Sequence, residues 1–156
     1  MKSFGAPWGK GLWISTTIGC FVVGLPTVYQ LLNGRLIGWL LLAVLLAPLV
    51  CTVRGYRITD TDLEVARLGW TSRWPLADLQ SATVERGVMA RSFRTFGNGG
   101  LFAITGRYRN ARLGAYHAYV TDSERTVVLR FPSLTLVVSP DDPESFARAL
   151  GERKLR

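Results

Sequence analysis

Few side chains in this chain of 156 residues could do chemistry, and their spacing decides what each could do. His117 is the only histidine, and no cysteine lies near it to complete a zinc set. Cys20 and Cys51 are the only two cysteines, too few for a disulfide scaffold. Asp60-Thr61-Asp62 resembles a short metal-binding pair, yet a tight turn between strands explains the same three residues. Gly97-Asn98-Gly99-Gly100 could offer backbone N–H groups to a phosphate, with Asn98 beside them. It lacks the Lys-Ser/Thr ending of a phosphate loop and the third glycine of a dinucleotide fingerprint, so a glycine-rich turn explains it as well. Nucleophilic catalysis needs a base held by a third group, and no such set can be assembled. No catalytic residue, metal site or cofactor is therefore expected.

What remains is charge. Residues 86–121 hold six arginines and no acid. A hairpin turning at Asn110–Gly114 would pair Arg109 with Ala115, Arg107 with His117 and Thr105 with Tyr119. Arg107, Arg109 and Arg112, with Arg94 from the preceding segment, are expected to form one cationic surface, with His117 and Asn98 at its margin. Such a strip would suit anionic lipid headgroups or a protein partner; a plain solvated face is the alternative.

The elements that must position these residues begin with two apolar stretches. No charged residue falls between 11 and 34 or between 36 and 53. Segments 12–32 and 36–53 are near the ~20 residues that a bilayer core demands, so both are expected to be transmembrane helices. Residues 1–11 form a cytoplasmic flank, and residues 33–35, Asn33-Gly34-Arg35, make the turn of a helical hairpin. Thr16, Cys20 and Gly24 on the first helix, and Ala43, Ala47 and Cys51 on the second, recur as stripes of small residues where helix backbones could approach. Pro26 and Pro48 should kink the helices. Lys2 and Lys10 before the first segment, and Arg54 and Arg57 after the second, outweigh Arg35 at the turn. Both termini should then be cytoplasmic.

From residue 55 the hydrophobic period shortens. Strands are expected at 56–59, 63–70, 72–76, 82–86, 101–109, 115–121, 126–131 and 134–138. The candidate core runs through Leu63, Trp74, Val84, Phe102, Ile104, Val127, Leu129, Phe131 and Leu136. Phe146 and Leu150 come from a closing helix that Asp142 caps, with Pro143 in its first turn.

The runs Arg94-Thr95-Phe96-Gly97-Asn98-Gly99-Gly100-Leu101, Gly106-Arg107-Tyr108, Leu113-Gly114-Ala115-Tyr116 with Tyr119-Val120-Thr121, and Ser139-Pro140-Asp141-Asp142-Pro143 together resemble the bacterial PH-like (pleckstrin-homology-like) domains of small membrane proteins. The resemblance covers about residues 55–150. It implies a mainly-β PH-like barrel with one C-terminal α-helix over 55–156, after a two-helix transmembrane hairpin, in a bacterial inner membrane. It carries no catalytic activity. Eukaryotic relatives that grip phosphoinositides place basic residues in the loop between the first two strands. Here that loop is the acidic Asp60-Thr61-Asp62, which disfavours stereospecific phosphoinositide binding.

The expectation is a membrane-anchored binding or assembly module, meeting a protein partner, a second copy of itself, or anionic lipid. The alternative is a small membrane-bound enzyme or an accessory subunit of a transporter. Against transport, neither apolar segment carries an ionisable group other than its cysteine. Nucleic acid is not expected as a partner: of the net charge of +8, +5 lies in residues 1–57, where topology accounts for it.

Overall fold

The computed structural model describes residues 1–154; the last two residues of the expected 55–156 domain lie outside them. The chain opens on a strand that the sequence reading did not foresee, β1 (Lys2–Gly5). Helix α1 (Lys10–Leu32) follows, then α2 (Leu36–Leu46), which tightens into a 3-10 turn over Ala47–Cys51. Pro48 explains that change, because its ring has no N–H and collides with the carbonyl four residues back. Among the described residues, only α1 is long and apolar enough to cross a membrane by length and composition; the α2 segment, Leu36–Cys51, is shorter. The two helices lie against each other through the turn at Asn33–Arg35, where the Gly34 φ of +66° suits glycine.

Thr52 alone joins the helices to the β domain. Strands β2 (Val53–Ile58), β3 (Asp62–Arg67) and β4 (Thr71–Pro75) form an antiparallel meander, and β1 completes it in the order β1-β2-β3-β4. A second sheet contains β5 (Ser81–Val84), β6 (Phe93–Gly99), β7 (Ile104–Asn110), β8 (Gly114–Val120), β9 (Val127–Arg130) and β10 (Thr135–Val138). Its order is β5-β9-β10-β8-β7-β6, with β10 and β8 parallel and the other pairs antiparallel. Helix α3 (Pro143–Lys154) closes the chain, with the Asp142 side chain accepting the Ser145 N–H at 3.0 Å as its cap.

Alternation along the strands builds two cores. Tyr56, Ile58, Leu63 and Val65 of the first sheet meet Val127, Leu129, Leu136 and Val138 of the second, and Phe146 and Leu150 of α3 fill the remaining side. The outer face of the first sheet carries Arg57, Glu64 and Arg73 in cross-strand ion pairs at 3.6 and 3.1 Å. Val128, Val137, Ala118, Val120, Tyr108 and Tyr116 point to the other face of the second sheet, under Val88 and Met89. That sheet is therefore covered on both sides over its centre, which is why β9 and β10 read as nearly continuous apolar runs.

One aromatic position and one strand differ from expectation. Phe102, placed in the candidate core, lies outside both buried clusters. It leaves the strand in a left-handed conformation (φ +65°) and lies beside Trp8, with ring centres 6.3 Å apart. Strand β6 lies outside every expected strand, because its glycines and exposed aromatics hide any alternation.

Candidate interaction surface

The β7–β8 hairpin has the pairing that alternation requires: Arg109 opposite Ala115, Arg107 opposite His117 and Thr105 opposite Tyr119. Across β6, a bulge between Arg94 and Phe96 resets the register, so Phe93 faces Arg109, Phe96 faces Arg107 and Arg94 faces Tyr108. Residues directly opposite on antiparallel strands share a face. Phe93, Phe96, Arg107 and Arg109 therefore form one patch, with the two phenylalanines 78% and 76% exposed. Neither Arg107 nor Arg109 makes an ion pair among the described residues.

The expected four-arginine surface is thus divided. Arg94 lies on the opposite face, with its guanidinium against Gly99 and its charge beside Tyr108. Arg112 is held by Glu85 at 2.9 Å, at the side where residues 85–92 cover the sheet. Sequence reasoning missed Phe93 and Phe96, because the bulge puts both on the Arg107 side although an odd spacing separates them.

His117 lies where this patch meets the sandwich edge. Its ring is 5.6 Å from that of Trp74, which descends from β4. Burial, then the nearby Arg107 charge, pushes its pKa below the ordinary 6.5. The ring is half-buried, and among the described residues no carboxylate is paired with it.

Asn98 and its glycines do something other than cradle an anion. The Asn98 side-chain oxygen accepts the N–H groups of Gly100 and Leu101, at 3.3 and 3.1 Å, and its amide donates to the Leu101 carbonyl. The Gly100 and Leu101 N–H groups are thereby used within the loop. Gly97 and Gly106 face each other at positive φ (+111° and +132°), each so close to the facing backbone that a Cβ would collide. The tip of the β6–β7 hairpin docks on α1. Ser15 and Thr16 hydroxyls donate to the Gly100 carbonyl at 2.7 and 3.3 Å, and the Phe102 N–H donates to Thr16 at 3.0 Å. A side chain at Gly19 would strike Leu101.

Thr16 thus belongs to a joint between helix and domain, and Gly24 has no neighbour within 4 Å of where a side chain would begin. Ala43 and Ala47 are exposed, while Gly38 is buried with Leu31 of α1 against its Cα. The close approach of the helices runs through Gly38, and the expected alanine stripe lies on the outer side. Cys20 and Cys51 are unpaired and half-buried. Cys20 and Gly24 help floor an apolar groove of about 720 Å³ along α1, roofed by Trp8 and Phe102.

Two buried polar clusters are structural. The Tyr56 hydroxyl donates to the Tyr119 carbonyl at 2.6 Å and accepts the Ser139 N–H at 3.1 Å, and burial pushes its pKa up to about 12. Tyr116 donates to Ser92, and Asn110 ties Val88 and Ser92 to the β7–β8 turn. Asp60-Thr61-Asp62 is a turn, in which Thr59 and Asp62 bond each other and Thr61 donates to Asp62. No group of three potential metal ligands occurs among the described residues.

Two sheets packed face to face, closed by a C-terminal helix and joined to an apolar helical pair, define a small β-domain of the pleckstrin-homology type. The chain belongs to the bacterial PH domain family, whose model matches residues 54–154. Comparison with curated proteins and with solved structures gave no match.

Proposed function

We propose that this protein is a membrane-anchored, non-catalytic binding or assembly module of a bacterial inner membrane. Both α1 and α2 cross the bilayer, and the PH-like domain faces the cytoplasm. Its contact surface is the patch of Phe93, Phe96, Arg107 and Arg109, and the partner is a protein with an apolar, acidic face. The observation that carries this reading is the pairing of two unneutralised arginines with two exposed phenylalanines on an edge strand. Aromatic rings and arginine are the side chains that most often anchor interfaces, and solvated faces rarely expose two large rings together. Family membership supports a binding role, and the extent of apolar surface on both helices supports insertion. Lys2, Lys10, Arg54 and Arg57 at the domain end support the orientation.

The test is purification of the full chain in mild detergent, with co-purifying proteins and lipids identified for three forms. Phe93→Ser/Phe96→Ser and Arg107→Gln/Arg109→Gln should each fold with stability within about 0.5 kcal/mol of the original, because the sites are exposed. Each should lose the same protein partner. A partner retained by both variants would remove the patch from consideration, and loss of bound anionic lipid alone would assign it to headgroups.

A further inference from the structure

The apolar pair of helices is too short, measured from the domain, to cross a bilayer that stops at the domain. Leu101 reaches α1 at Gly19, and on the other helix Gly69, in the β3–β4 turn, meets Val50. The helices touch at Gly38 and Leu31. Gly19 and Val50 each lie twelve residues from that contact, back along α1 and forward from Gly38, so they stand at roughly the same level. The part of α1 beyond that level, Gly19 to Leu32, is only about 20 Å long at 1.5 Å per residue. A hydrocarbon core is about 30 Å thick, which leaves about 10 Å to be found among the residues beside the domain.

Those residues are suited to lipid. Trp13, Ile14 and Ile18, all between Lys10 and Gly19, are 59%, 60% and 58% exposed. Beside them the two turns present Leu68 and Trp70, which are 55% and 47% exposed, and the Leu101-Phe102 tip with Trp8. Non-helical backbone tolerates membrane depth only when its polar groups are satisfied within the protein. In the β6–β7 tip five such groups are satisfied within the protein: the N–H groups of Gly100, Leu101 and Phe102, and the carbonyls of Gly100 and Leu101. Tryptophan at this level is the usual occupant of the interface.

We infer that the β3–β4 turn and the β6–β7 tip are immersed in the cytoplasmic-side interface of the bilayer, so that the domain sits partly sunk in lipid. The inference rests on the two helices spanning the membrane. Its site is distinct from the Phe93–Arg109 patch, and its occupant is the bilayer itself.

The test places single cysteines in the full chain, with Cys20 and Cys51 replaced by serine, reconstituted in phosphatidylethanolamine/phosphatidylglycerol vesicles. Leu101→Cys and Leu68→Cys report the two turns, Glu152→Cys the far side of the domain, and Leu25→Cys the helix. Each carries an environment-sensitive fluorophore, quenched by aqueous iodide or by lipids bearing a shallow or deep nitroxide. Labels at 101 and 68 should be blue-shifted, lose iodide quenching relative to 152, and be quenched best by the shallow nitroxide, with 25 quenched best by the deep one. Because the label at 101 adjoins Gly19, the label at 68 decides if that variant fails to fold. Iodide quenching at 68 equal to that at 152, with 25 still deep, would overturn immersion and leave the spanning reading intact. Iodide quenching at 25 as well would end both.

Discussion

His117 shows how a single position can look chemical in sequence and prove structural. Burial, then Arg107, disfavours the charged form of its ring. A folded-state pKa below the unfolded value means that the unfolded chain binds the proton more readily. Stability is then fully present above 6.5 and declines as pH falls through 6.5 toward the depressed folded value. The chain has one histidine, so its imidazole proton resonance can be followed directly. It should titrate below 6.5, and Arg107→Gln should move the midpoint upward. A midpoint at or above 6.5 would remove burial as the governing cause. Tyr56 has the opposite sign. Its raised folded pKa means that its contribution is present below the ordinary 10.0 and is lost as pH rises through about 12. Tyr56→Phe leaves the Tyr119 carbonyl and the Ser139 N–H without this partner, a cost of about 1–3 kcal/mol in equilibrium unfolding. It should also flatten the alkaline limb of the stability profile.

Among the elements, the helices separate two glycines that sequence treats alike. Gly24 faces open space, so alanine there should leave thermal unfolding in detergent unchanged or raise it slightly, since alanine favours the helix by about 1 kcal/mol. Gly38 has the Leu31 backbone nitrogen 2.8 Å from where a side chain would begin. Alanine at 38 should lower the transition, because the helices must move apart. Equal behaviour of the two variants would mean that the close approach lies elsewhere. The β6–β7 hairpin works by the same logic. A side chain at Gly97 or Gly106 would meet the facing backbone, so the close pairing of β6 with β7 depends on both glycines.

For the whole molecule, the N-terminal strand matters most. β1 pairs with β2 from Lys2–Ile58 to Gly5–Gly55, and the Phe4 ring meets Phe146 at 5.0 Å. The chain start is therefore part of the domain and must lie on its side of any membrane. Reporter fusions after residues 3, 34 and 156 should be cytoplasmic, periplasmic and cytoplasmic in turn; a periplasmic signal at 156 would reverse the orientation. The same pairing limits what a fragment of residues 55–156 can do. It should give a mainly β circular-dichroism spectrum, yet unfold at a lower temperature than the full chain, because β1 and Val53 are missing and the β6–β7 tip has lost α1.

Periodicity and turn chemistry are local, and what depends on them was legible in the sequence. The apolar helical segments, the strand-rich domain, the register of Arg107 against His117 and the Asp142 cap all follow from spacings of a few residues. The contents of the patch were not legible, because a one-residue bulge at Thr95 reverses which side chains share a face, and glycine-rich strands give no alternation to read. Nor was the joint between Thr16 and Gly100, whose partners lie 84 residues apart. The pairing of β1 with β2 was hidden for the same reason: Lys2–Gly5 carries no strand signal of its own. It becomes a strand only because folding leaves the edge of β2 open beside it and Phe146 ready to receive Phe4.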